Sequence, residues 1–149
     1  PTNGVIVKGI DNCLVRLARC CNPVPGDSII GYITRGRGVS VHRRDCINVK
    51  NIPGEEERLI EVSWYTDKNT AYIADITVMA KDRESLLKDI ANEISNEKIP
   101  LKGINARTTR DKTAIMVLTL EITDAEQLNK IIRKLRKVDA VFEVSRNKN

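Results

Sequence analysis

Residues 113–138, TAIMVLTLEITDAEQLNKIIRKLRKV, hold two periodicities back to back. Ala114, Met116, Leu118, Leu120 and Ile122 fall on alternate positions, the period of a strand with one buried face. After Asp124 the apolar residues Leu128, Ile131, Ile132, Leu135 and Val138 recur at helical spacing. Asp124 with Gln127 three residues on is a capping-box pattern, so the chain is expected to leave a strand and enter a helix there. Outward from this stretch, residues 140–145 read as a closing strand, and residues 101–109 pair with 113–122 around the turn Arg110-Asp111-Lys112. Before them, residues 72–80 alternate as a strand. Asp82 is expected to cap a helix carrying Leu86, Leu87, Ile90, Ala91 and Ile94 on one face, with Pro100 just beyond its end. The resulting order, βαββαβ, predicts a ferredoxin-like antiparallel sheet with both helices on one face.

Residues 1–68 carry a different pattern, of short strands and turns. Residues 13–18 alternate as a strand until Asn22-Pro23-Val24-Pro25-Gly26-Asp27 forces a turn, because the prolines lack amide donors and Gly26 tolerates a positive φ. Residues 28–34 and 39–43 read as a hairpin about Arg35-Gly36-Arg37-Gly38. Asp45 can cap a short helical turn over 46–49, and residues 59–65 form one more strand. Polar residues 66–70 read as a linker. The expectation is an α+β chain of two domains: a small, strand-rich, cysteine-containing domain over 1–68 and the ferredoxin-like domain over 69–149.

With 41% hydrophobic and 30% charged residues, the composition is that of a globular chain rather than a disordered one. No apolar run approaches the roughly 20 residues that span a bilayer, and no basic-then-apolar leader is present. A cytoplasmic protein is therefore expected, with no membrane partner. The chain opens on Pro1 and moves at once into a strand-like stretch, as a piece of a longer polypeptide would. The whole net charge of +5 lies in residues 1–50, where eight Lys or Arg face three acids. Concentrated arginine suits a polyanion such as RNA, and five surplus charges equally serve solubility. All four cysteines, Cys13, Cys20, Cys21 and Cys46, sit in the same third. Without a secretion signal, metal ligation or simple burial is expected ahead of a disulfide framework.

Two stretches carry a family resemblance. Ala18-Arg19-Cys20-Cys21-Asn22-Pro23-Val24-Pro25-Gly26-Asp27, then residues 31–43 and Asp45-Cys46, resemble the zinc-finger, conserved-cysteine or ribosome-intersubunit domain of the RelA/SpoT homologue (Rel) stringent-response enzymes. Residues 71–149, with Asp82-Arg83-Glu84-Ser85-Leu86-Leu87, resemble the ACT domain that ends them. The resemblance implies the sensing end of an enzyme that makes and in many cases hydrolyses ppGpp and pppGpp. Both catalytic domains would lie outside this chain, and the implied partners are ribosomal RNA, uncharged tRNA and the catalytic half of the parent protein. A homodimer through the ACT domain is a further implication.

The residues nominate two sites, and the resemblance implies a third, in the ACT region. Cys20, Cys21, His42 and Cys46 form a candidate zinc set, in which His42 and Cys46 have one ligand-pair spacing. Adjacent cysteines on a strand would point apart, so that set requires the chain to bend at 20–21; buried, unliganded thiols are the other reading. A Cys-His hydrolase would need an acid partner and an oxyanion loop that the sequence does not name. Arg35 and Arg37 at the hairpin tip are candidates for phosphate contact, with Arg19, Arg43 and Arg44 extending the basic surface; a solvated hairpin is the alternative. In the ACT region, Asp82, Ser85, Leu86, Asn105 and Thr108 would line an amino-acid site that controls dimerisation. Ser85 stands where relatives often have glycine, which favours a structural or protein-binding role. The basic face of the second helix, including Lys130 and Lys134, reads as solvated.

Overall fold

The computed structural model describes residues 3–9, 13–36, 38–50, 56–65 and 70–146, in two compact units that divide between Thr70 and Ala71. In the first unit, β1 (Val5–Val7) is followed by β2 (Val15–Leu17), β3 (Ile29–Thr34), β4 (Gly38–Arg43), the short helix α1 (Ile47–Lys50), a 3-10 turn (Glu56–Arg58), β5 (Leu59–Ile60) and β6 (Val62–Trp64). Four strands form a sheet in the order β2-β4-β3-β5, and β1 and β6 form a separate antiparallel pair. Alternation explains the packing. Val39 and Val41 on β4 are aligned with Val15 and Leu17 on the parallel strand β2 and with Ile33 and Gly31 on β3. These positions build a core with Val5, Val7, Val15, Ile29, Val39, Val41 and Val62.

The stretch 59–65, expected as one strand, is two. It breaks at Glu61, so Leu59 and Ile60 continue the β3 sheet while Val62 to Trp64 cross to β1. Trp64 pins the arrangement by donating its indole N–H to the carbonyl of Asp27 at 3.0 Å. Asp27 closes the proline turn, its amide bonding the carbonyl of Val24 at 3.0 Å and its carboxylate accepting the Val24 amide at 2.8 Å. At the hairpin, Gly38 is required on two counts: its φ is 87°, and a Cβ there would stand 2.1 Å from the Leu14 carbonyl oxygen.

The second unit is the expected α+β domain. Its elements are β7 (Tyr72–Lys81), α2 (Leu86–Asn96), β8 (Leu101–Thr108), β9 (Thr113–Ile122), α3 (Ala125–Leu135) and β10 (Val141–Arg146). The antiparallel sheet runs β10-β7-β9-β8, the ferredoxin-like order. Tyr72, Ala74, Ile76, Val78 and Ala80 on β7, with the even-numbered residues 114–122 on β9, are buried. They pack beneath Leu86, Ile90 and Ile94 of α2 and Leu128, Ile131, Ile132 and Leu135 of α3. The cap of α3 is as expected: the Asp124 carboxylate accepts the Gln127 amide at 2.8 Å, and the Gln127 side chain accepts the amide of Thr123, one residue before Asp124, at 2.8 Å.

Two expectations for α2 are corrected. Asp82 does not cap it; the N-cap is Ser85, with φ 64° and no side-chain cap bond. The loop is longer because Asp82 stays with the sheet, its amide bonding the Lys112 carbonyl at 2.9 Å, and Arg83 then bonds Asp89 at 2.9 Å and the carbonyl of Asp139 at 3.0 Å. Leu87 is 44% exposed and leaves the buried face to Leu86, Ile90 and Ile94. No helix among the described residues is long and apolar enough to cross a membrane.

Candidate metal centre and nucleic-acid interface

The bend needed at Cys20-Cys21 is present. Strand β2 ends at Leu17, and the next residues fold into a turn closed by the Asn22 amide on the Ala18 carbonyl at 2.9 Å, with Asn22 at φ 46°. Cys20 and Cys21 therefore sit on a turn instead of on opposite strand faces. His42 reaches the same point from the end of β4, and Cys46 from the residue before α1, where it accepts the Asn48 amide. The ligand atoms of all four lie within 4.8 Å of one another.

Four of the six ligand–ligand distances are close to the edges of a tetrahedral zinc site. Cys20 Sγ is 3.5 Å from Cys46 Sγ, 4.0 Å from Cys21 Sγ and 3.3 Å from His42 Nδ1; Cys21 Sγ is 3.8 Å from that nitrogen. Zinc–sulfur bonds of about 2.3 Å and zinc–nitrogen bonds of about 2.0 Å imply S···S edges of about 3.8 Å and S···N edges of about 3.5 Å. The donor set, three sulfurs and one imidazole, is one that zinc takes in structural sites, so the residues fit the ion. Outer contacts orient the ligands. His42 Nε2 lies 3.4 Å from the Ser40 hydroxyl, leaving Nδ1 turned to the thiols, and the Arg43 amide donates to Cys21 Sγ at 3.3 Å. Burial lowers the His42 pKa, and in the metal-free site burial raises those of Cys21 and Cys46, the desolvated thiolates being the costly form.

Arg43 is a correction. It was expected on a basic surface, yet it is 5% exposed, aligned with Ile29 on the core side of the sheet. Its guanidinium makes two bonds of 2.8 Å to the Asp45 carboxylate and one of 3.4 Å to the Cys21 carbonyl. It thus ties both cysteine turns together. The alternation Val39, Val41, Arg43 already placed it on the buried face. The Asp45 carboxylate, expected as a helix cap, is one half of that pair.

The remaining arginines do not form one patch. Arg35 is at the exposed hairpin tip, whereas Arg19 and Arg44 lie near the cysteines, beyond the other end of β4. Six strand residues at roughly 3.3 Å each set the two groups about 20 Å apart. Arg44 pairs with Glu61 at 3.1 Å; Arg37 lies outside the described residues. Residues not singled out from the sequence join the two groups on the sheet face opposite the valine core. Arg16, exposed, aligns with Ser40, which aligns with Tyr32, which aligns with Leu59. The Arg58 guanidinium stands 6.0 Å from the Tyr32 ring centroid. Alternation along β2 and β3 hinted at Arg16 and Tyr32, but the Arg58 contact depends on a fold that no local pattern reveals.

In the second unit, Asp82, Arg83, Ser85, Leu86, Leu87, Lys88, Arg107 and Thr108 line a cavity of about 280 Å³ floored by Ala114 and Met116. Asn105 is not among its lining residues; it aligns with Val117 on the other face of the sheet.

A small sheet bearing a cysteine–histidine cluster is followed by a ferredoxin-like sheet with its helices on one face. The chain belongs to the ACT domain family over residues 68–146 and matches the RelA/SpoT RIS domain over residues 5–65. It is 42% identical over 143 residues to a GTP pyrophosphokinase of Streptomyces coelicolor, and 40% identical over 143 residues to the bifunctional (p)ppGpp synthase/hydrolase RelA of Mycobacterium tuberculosis. Those alignments cover 96% of this chain but 17% and 19% of the relatives, so the chain spans less than a fifth of their length. Among solved structures, the ACT domain of the Chlorobium tepidum GTP pyrophosphokinase matches 52% of this chain and 99% of that one, with 26% identity and a TM-score of 0.47.

Proposed function

We propose that this chain is the non-catalytic regulatory end of a (p)ppGpp synthetase/hydrolase. In this reading residues 1–68 contact ribosomal RNA and uncharged tRNA, and residues 69–149 pass the signal to the catalytic half of the parent protein. The observation that carries it is the first unit's geometry: a zinc-type S₃N cluster stands at one end of a hairpin whose sheet face offers Arg16, Tyr32 and Arg58 and whose tip offers Arg35. Among the described residues no acid pairs with Arg16, Arg19 or Arg35. Cations reach phosphates and the tyrosine can stack on an unpaired base. Salt titration of binding to a ribosomal or transfer RNA tests it. Each phosphate contact removed, as in Arg35→Ala or Arg16→Ala, should weaken binding at all salt concentrations and reduce the slope of log K against log salt by about 1. Binding that is indifferent to both variants would refute it.

The second reading, an amino-acid sensor acting through dimerisation, is favoured by the cavity at the start of α2. Ser85 holds the left-handed conformation that glycine adopts without cost, and Lys88 and Asp82 offer one charge for each end of a zwitterion. The edge strand β8, with Ile104 44% exposed, is the natural seat for a second copy of the chain. Saturable thermal stabilisation by valine or isoleucine, with a ligand-dependent mass in sedimentation, is the expected result; no shift at millimolar ligand would dismiss it.

A further inference from the structure

The metal-type cluster contains thiols close enough to react with one another. Cys21 and Cys46 are 4% and 5% exposed, whereas Cys20 is half-buried and is the ligand through which an oxidant can enter. Its sulfur is also 3.5 Å from that of Cys46. A disulfide bond is about 2.05 Å long, so the two sulfurs need approach by only about 1.5 Å, and both belong to turns rather than to the interior of a strand. Cys21, at 4.0 Å, is the poorer partner. Joining neighbours in sequence closes a strained small ring, and Cys21 Sγ is also held by the Arg43 amide. Cys13 lies on the valine core, outside the cluster.

The geometry points to Cys20 and Cys46 as a peroxide-sensitive thiol pair, whose oxidation to a disulfide ejects the ion from the cluster. This rests on the reading of the cluster as a metal centre for the ejection, though not for the disulfide. Cys20 sulfur attacks one oxygen of hydrogen peroxide; the O–O bond breaks, hydroxide leaves and takes a proton to become water, and Cys20 is a sulfenic acid. Cys46 sulfur then attacks Cys20 sulfur. The S–S bond forms, the S–O bond breaks, and the second hydroxide leaves as water. Two electrons pass from two thiols to one peroxide. Cys21 and His42 remain, and two ligands do not hold a structural ion that four held. The new bond spans the segment from Cys20 to Cys46, so β3 and β4 stay tethered while the ion is gone, and a dithiol reductant with fresh metal reverses the change.

The test uses the chain purified with its metal, in a Cys13→Ser background, titrated with hydrogen peroxide. Free thiols are counted, released metal is followed with a chromogenic chelator, and unreduced peptides are mapped by fragmentation mass spectrometry. Two thiols lost for each ion released, with Cys20 linked to Cys46 and full recovery on dithiothreitol plus zinc, is the expected result. Cys20 joined to Cys21, Cys20 driven to sulfinate without a crosslink, or metal lost with every thiol intact would each overturn the proposal. A chain that carries no metal and still forms the Cys20–Cys46 bond supports the pair and defeats only the metal reading. In Cys21→Ser the crosslink should persist, and its absence there in a folded protein also counts against the pair.

Discussion

The two units solve the same problem at different scale. In the second, nine of the largest fully buried side chains, from Ile76 and Ile90 to Ile131 and Leu135, are Ile or Leu on two helices and the two central strands. The first unit contributes only Val5, Val24 and Val41 to that group. Burial of apolar area contributes about 25 cal/mol per Å², so the larger Ile and Leu core of the ferredoxin-like unit contributes more than the valine core does. A valine core under short strands is the smaller of the two, and a metal held by the four ligands would add the more to it. Stability by packing is diffuse; stability by four ligands is concentrated and can be switched off at one atom.

Metal removal should break the comparison most sharply. Structural zinc contributes on the order of 10 kcal/mol of apparent binding energy. Chelation, or Cys46→Ser, should therefore abolish amide protection in β2, β3 and β4 while leaving β7 and β9 protected, as read by hydrogen exchange. Equal loss in both units would mean that the first does not depend on its ligands. The reverse experiment comes next in size. Leu128→Ala, at a fully buried position of α3, should cost about 2–5 kcal/mol in the second unit's unfolding and leave the metal content unchanged.

Arg43→Ala is the third. Removing the guanidinium strips the Asp45 carboxylate and the Cys21 carbonyl of a charged donor, for about 2 kcal/mol. RNA binding should fall only as the first unit melts. Arg35→Ala should show the opposite combination, weaker RNA binding at an unchanged melting temperature. Identical behaviour of the two variants would return Arg43 to the binding surface.

Legibility in the sequence followed the same division. The second unit was readable because ten-residue strands and eleven-residue helices repeat their period long enough to be unambiguous. It failed at 82–87, where the cap moved three residues because Asp82 kept its bond to the turn after β8, at Val138, which falls beyond the end of α3, and at Asn105, which lies on the other face of the sheet. Strands of two or three residues in the first unit carry too little period, so the split at Glu61 was invisible. The cysteine cluster could be nominated from residue types, and the Asn22-Pro23 turn pointed to the bend at 20–21, but the closing bond and the left-handed Asn22 are set by neighbours. Arg43 was legible and was misread: charge suggested the surface while alternation placed it inside.

The smallest expected effect lies in the acid response. Glu97, at the end of α2, accepts from Lys134 and pairs with Lys130 at 3.3 Å on α3. The Lys134 bond first, and then Lys130, hold its carboxyl below the ordinary 4.5. A depressed carboxylate means that the unfolded chain binds more protons near and just below that pH. The stabilisation is therefore complete above about 4.5 and lost as pH falls through the folded value. Glu97→Gln should flatten that part of the second unit's stability curve and leave its neutral-pH stability slightly lower. The first unit should respond earlier and more steeply on acidification, because thiolate and imidazole ligands must shed protons to bind metal. Two separate transitions in one acid titration, with only the lower one moved by Glu97→Gln, would place packing and ligation in different units; a single transition would mean that the units share one source of stability.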